Sequence, residues 1–120
     1  MVPPPGGRRA GLTMQRIAQV IGLKPEVSDE YERIHAAVWP EVLATIHACN
    51  IRNYSIFRHG TTLFAYFEYH GQDYAADMQK MAADPKTQEW WRITDPMQEQ
   101  LPGGQPGEWW TRIPEVFHTD

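Results

Sequence analysis

Tyr31, His35 and Trp39 stand four residues apart in a segment that reads as a helix, where residues four apart lie one above the other. At about 100° per residue, Tyr31 and His35 share an arc with Val38, Val42 and Ile46, while Glu32, Arg33 and His47 fall outside it. A phenol, an imidazole and an indole on the buried side of one helix suit a small polar ligand. The imidazole can move a proton near neutral pH, and the phenol and indole pair apolar rings with a polar handle. The same residues also fit a hydrogen-bonded pair inside a packed core.

Other aromatic residues bear on that choice. Trp90-Trp91 falls on a second helical segment, where adjacent residues sit about 100° apart and can wall and lid one cleft. Tyr54, on a strand, can reach the same cleft. Plain packing also accounts for each of these. Trp109-Trp110, behind a Pro/Gly loop, reads as an anchor for the C-terminal segment, with no chemistry assigned. His47, His59, His70 and His118 show no ligand-like spacing on one element, so neither a metal site nor a cofactor is expected. Phosphate-binding glycine loops, Gly-x-Ser-x-Gly and Cys-x-x-Cys are all missing from the sequence.

A chain of 120 residues is enough for one domain, and 42% hydrophobic residues are enough for its core. Residues 1–13, with their prolines, glycines and arginines but no apolar run, read as a disordered tail. Residues 14–120 read as the single domain. A net charge of −4 without a Lys/Arg stripe excludes a nucleic-acid surface, and no segment suits secretion or a membrane. One cysteine, Cys49, precludes an internal disulfide and fits a reducing cytoplasm, with small apolar filler as its expected role.

Strand signals cover 14–23, 51–58, 61–69 and 112–118, with a hairpin at His59-Gly60. One helix is expected over 28–49, with Ser28 as N-cap and with Pro40 kinking or restarting it; Asn50 marks its stop. A second is expected from about 72 to 94, broken at Asp84-Pro85. The order β-α-β-β-α-β is the ferredoxin-like α+β arrangement, an antiparallel sheet with helices on one face. The second hairpin strand is apolar on both sides, so the open sheet face calls for a second copy. That predicts a homodimer, a dimeric α/β barrel, with a small-ligand site between sheet and helices.

Taken together, these residues resemble the L-rhamnose mutarotase family. The matching pieces are Tyr31-x-x-x-His35, Trp39-Pro40-Glu41, Asn53-Tyr54-Ser55-Ile56, Leu63-Phe64-Ala65, Trp90-Trp91 and Glu115-Val116-Phe117-His118, in order from about 14 to 118. The resemblance implies a carbohydrate isomerase, an aldose mutarotase that interconverts the α and β anomers of L-rhamnose without cofactor or metal. It implies His35 as the proton donor and principal acid, and Tyr31, Tyr54, Trp90 and Trp91 as sugar-binding residues. The family's Asn-Pro-Asp-x-Ser-Pro loop is replaced at 100–106 by Gln-Leu-Pro-Gly-Gly-Gln-Pro. L-Fucose or another sugar therefore stays open as substrate. A monooxygenase of the same dimeric architecture, acting on an apolar substrate, is the competing reading.

Overall fold

A computed structural model describes residues 14–120, and the expected tail at 1–13 lies outside them. Strand β1 (Gln15–Leu23) leads through a 3-10 turn (Pro25–Val27) into helix α1 (Ser28–His35). Helix α2 (Pro40–Ala48) precedes the hairpin of β2 (Ile51–His59) and β3 (Thr62–Tyr69). Helices α3 (Tyr74–Ala83) and α4 (Pro85–Thr94), a 3-10 turn (Asp95–Met97), β4 (Gln98–Glu99) and β5 (Thr111–Ile113) follow. The antiparallel sheet runs β2-β3-β1-β4, and β5 also pairs with β1, further back along the edge that β4 occupies. No helix among the described residues is long and apolar enough to cross a membrane.

The helix expected over 28–49 is two helices. Proline has no N–H to donate, its ring clashes with the carbonyl four residues back, and the residue before it is driven out of the helical region. Trp39 accordingly has φ −59° and ψ 135°, and α2 starts afresh on Pro40. Ser28 is not the N-cap of α1. Val27 takes that place because a 3-10 turn precedes, and the Ser28 hydroxyl donates to the Pro25 carbonyl at 3.1 Å. At the second break the expectation and the structure agree. The Asp84 carboxylate accepts from the Thr87 N–H and hydroxyl, each at 2.9 Å, and Pro85 opens α4. Asn50, at φ 68°, turns the chain out of α2 into β2.

Two further boundaries differ. The last strand is three residues long rather than spanning 112–118, since Pro114 has no N–H to continue the ladder. Beyond it Val116 and Phe117 are exposed, while Glu115 pairs with Arg16 at 2.6 Å. The two-residue β4 was not expected. It lies close against β1, where a Cβ on Gly22 would stand 2.7 Å from the Glu99 carbonyl.

Strict alternation along β2 puts Ile51 on the same face as Ser55 and Phe57, yet Ile51 is buried and Phe57 is exposed. A bulge resolves this. Arg52 pairs with Glu68 and Ser55 with Tyr66, so Asn53 and Tyr54 together oppose Phe67. Asn53 takes the left-handed conformation (φ 52°) that its short amide tolerates, and donates to Glu68 at 2.8 Å. Ile51, Tyr54 and Ile56 then all lie on the helix-covered side.

That side carries two buried clusters. Ile17, Ile51, Phe67 and Tyr69 pack under Ile46 of α2 and Met78 of α3, and Ile21, Leu23 and Leu63 pack with Tyr31 of α1. Tyr69 is fully buried. Its hydroxyl donates to Asp77 at 2.5 Å and accepts the Asp73 N–H at 3.0 Å, while Asn50 donates to the same Asp77 oxygen at 2.9 Å. One phenol thus joins β3, the start of α3 and the end of α2. Gly71 makes room for it, because a Cβ there would collide with the Tyr69 hydroxyl and the Asp77 carboxylate. Tyr69→Phe leaves the carboxylate short of its donor and should cost about 1–3 kcal/mol of stability in urea unfolding. An unchanged midpoint would show that packing alone holds this corner.

Candidate active site

Between the helices and the covered sheet face lies a cavity of about 670 Å³, well within the range of small-molecule sites. Each residue singled out in the sequence, Tyr31, His35, Tyr54, Trp90 and Trp91, lines it. Val38, Val42 and Ile46 line it too, so the arc read along one helix survives the break at Pro40.

The end of α1 sets the orientation of His35. Its Nδ1 lies 2.7 Å from the Tyr31 carbonyl, which can only accept, so Nδ1 carries the hydrogen and Nε2 is the acceptor in the neutral ring. The imidazole stacks on the Tyr31 ring (centroids 4.1 Å apart, 26° between planes) and meets the Trp90 ring nearly edge-on at 5.3 Å. Trp39, extended by Pro40, meets the same indole at 5.2 Å. Trp90 is buried on α4, so α1, the interhelix turn and α4 are fixed to one another through three aromatic rings. On the sheet side, the bulge brings Tyr54 against Phe67 at 5.4 Å.

Burial sets the charge of these groups. It pushes the His35 pKa below the ordinary histidine value, against the opposing pull of the hydrogen bond to Tyr31, and so favours the neutral ring. It raises Tyr31, against the hydrogen bond donated by Gln98, and it also raises Tyr54, although that residue is 41% exposed. Asp95, at the end of α4, is also raised by burial and is, among the described residues, the one carboxylate on the cavity wall. A wall of neutral imidazole, phenols and indoles suits an uncharged polar ligand better than an ion.

Some of the wall was not legible in the sequence. Trp109 and Trp110, expected only to anchor the C-terminal segment, also line the cavity, and Trp110 packs on the Ile21 cluster. The Trp109 Nε1–H donates to Gln98 Oε1 at 2.7 Å, and Gln98 Nε2 donates to the Tyr31 hydroxyl at 3.1 Å. A second tandem Trp was the available signal for Trp109, whereas a lone Gln or Asp after a helix gives none. Cys49 is buried and lies outside the cavity wall, as filler would. Among the described residues, no group of three or more His, Cys, Asp or Glu side chains is placed to hold a metal ion.

A curled antiparallel sheet under four helices, with a histidine in an aromatic cavity between them, defines a small α+β protein. Residues 16–119 match the family model described as L-rhamnose mutarotase. The chain belongs to the L-rhamnose mutarotase family, whose members are carbohydrate isomerases. An L-fucose mutarotase of Xanthomonas campestris pv. campestris is 36% identical over 112 residues, covering 88% of this chain and 89% of that protein. L-rhamnose mutarotases of Oceanobacillus iheyensis and Phocaeicola vulgatus are 33% and 36% identical, each over 89% of this chain and their own full length. The crystal structure of an L-rhamnose mutarotase from Formosa agariphila shares the fold. It has a TM-score of 0.69 at 23% identity, covering 88% of this chain and 99% of that one.

The depressed His35 pKa has a defined sign in stability. Between the native value and about 6.5 the unfolded chain binds the proton that the native ring refuses. Stability from this group is therefore intact above about pH 6.5 and is lost as pH falls through that window. An NMR titration of the His35 ring should give a midpoint below 6.5. A midpoint at or above it would mean that the ring is not held neutral by burial.

Proposed function

We propose that this protein interconverts the α and β anomers of L-rhamnose, with His35 as the group that moves the proton. The observation that carries the reading is the His35 ring, tied through Nδ1 to the Tyr31 carbonyl and lining an aromatic cavity with Nε2 left as acceptor. Ring opening removes a proton from the anomeric hydroxyl and places one on the ring oxygen as the bond between C1 and that oxygen breaks. Both oxygens sit on the same carbon, so one ring nitrogen serves both: Nε2 takes the first proton as base and delivers it as acid. The exposed aldehyde turns about its bond to the next carbon, and the same steps in reverse close the other anomer. His35 thus starts each turnover as a base and acts as the family's proton donor in its second half. Tyr31 and Tyr54 hydrogen-bond sugar oxygens, and Trp90 and Trp91 stack on the apolar sugar face.

The L-fucose mutarotase among the relatives supports L-fucose as a second candidate sugar. The two sugars differ only in the stereochemistry of their ring hydroxyls, which side chains of the cavity wall, Trp109 among them, would have to sense. The strand order β2-β3-β1-β4 supports the ferredoxin-like arrangement of a single domain over 14–120. On the uncovered sheet face Phe57 and Phe64 are exposed beside one another on paired strands. A second copy covering that face gives the homodimer, and the reduced, buried Cys49 fits a cytoplasmic protein.

NMR exchange spectroscopy between the anomeric protons of L-rhamnose, then of L-fucose, tests the activity. Wild type should accelerate exchange, and His35→Ala should lose roughly 10²–10⁴-fold of that rate while keeping its fold. Undiminished exchange in His35→Ala would remove the mechanism; exchange with L-fucose alone would keep it and change the substrate. For the dimer, sedimentation should give twice the chain mass for wild type and a shift toward monomer for Phe64→Glu. A wild type that sediments as a monomer would exclude the sheet-to-sheet interface.

A further inference from the structure

We propose that Gln98, held by Trp109, is a positioning residue that fixes the Tyr31 hydroxyl as a hydrogen-bond donor, so that Tyr31 meets an acceptor oxygen of the sugar. This rests on the mutarotase reading of the cavity and adds a part of the site to it.

The argument is one of polarity. An indole nitrogen donates and never accepts, so the atom of Gln98 that lies 2.7 Å from Trp109 Nε1 is the carbonyl oxygen. The amide cannot be turned over, because that would set two donors against each other. Its NH2 therefore faces Tyr31 and donates to the phenol oxygen at 3.1 Å. With that direction occupied by an incoming hydrogen, the Tyr31 proton points elsewhere, into the cavity that the Tyr31 ring lines. Gln98 is buried, and both of its amide atoms are committed, so the chain Trp109 to Gln98 to Tyr31 runs one way only. Sequence gives the reason for its distance: Gln98 comes from the short β4 strand, Trp109 from beyond the Pro/Gly loop, and Tyr31 from α1. The loop at 100–106 closes the relay across 11 residues.

The test compares two substitutions of similar size at a pH well above the carboxylate range. Gln98→Glu keeps the acceptor for Trp109 but draws the Tyr31 hydrogen toward itself, reversing the polarity. Gln98→Met removes both hydrogen bonds and leaves Tyr31 free to donate to the sugar. The relay predicts that Gln98→Glu lowers kcat/KM for L-rhamnose exchange about tenfold more than Gln98→Met, and that the excess vanishes in a Tyr31→Phe background. A residue that only packs predicts the opposite order, since Met loses both bonds and Glu keeps both, one of them reversed. Gln98→Met equal to or worse than Gln98→Glu, or an excess that persists with Tyr31→Phe, would overturn the proposal. If wild type binds L-rhamnose without exchanging its anomers, the mutarotase reading fails by itself; the relay is then read from the same order in binding affinity.

Discussion

A missing N–H at position 40 organises the helix side of this molecule. Because Pro40 cannot join the hydrogen-bond ladder of a continuous helix, α1 ends at His35, the chain turns at Ala36-Ala37 and is extended at Trp39 before helical pairing resumes. The extended step brings Trp39 onto Trp90, and Trp90 in turn braces the His35 imidazole. In an unbroken helix the rings of Tyr31, His35 and Trp39 would be spread along one cylinder, with His35 in mid-helix. At the helix end, its imidazole instead lies between the Tyr31 ring and an indole from another helix. Interaction with a carbonyl one turn back then sets the tautomer without any help from a carboxylate.

That arrangement explains why the histidine of the cavity is held neutral. The usual way to orient a histidine is through an acidic partner, which also raises its pKa. Here the partner is a neutral carbonyl and the surroundings are aromatic, so burial dominates and the resting ring stays a base. The two tyrosines are shifted in the direction that keeps their protons. A sugar of the kind proposed brings several hydroxyls and no charge, and it would meet hydrogen-bonding groups that are already neutral, with no ionisation to undo.

The sequence carries the local part of this design and not the distant part. Tyr31, His35, Val38, Val42 and Ile46 are readable as one set because each of the two short helices keeps the same inward face across the break. The breaks at Pro40 and Asp84-Pro85 are readable because proline acts on its own backbone. The β4 strand is not readable: two residues carry no period, and they become a strand only because β1 offers Gly22 for close approach. Gln98 meets Tyr31 across 67 residues, and nothing next to Gln98 or Asp95 in the chain marks either as part of the site, whereas Trp109 has its tandem partner Trp110. Tyr54 was assigned to the correct face, but the alternation that placed it there would have exposed Ile51. Only an extra residue in the strand lets both point inward.

The same extra residue has a bearing on how the hairpin finds its pairing. A slip of β2 against β3 by two residues leaves every side chain on its proper face, so hydrophobic alternation alone cannot reject it. The bulge can. It requires a residue at ease with positive φ opposite Phe67, and Asn53 meets that requirement where Ile51 or Ser55 would be strained. The irregularity that brings Tyr54 to the cavity thus also marks the one alignment in which the hairpin closes without strain, so correct pairing and correct placement of Tyr54 arrive together.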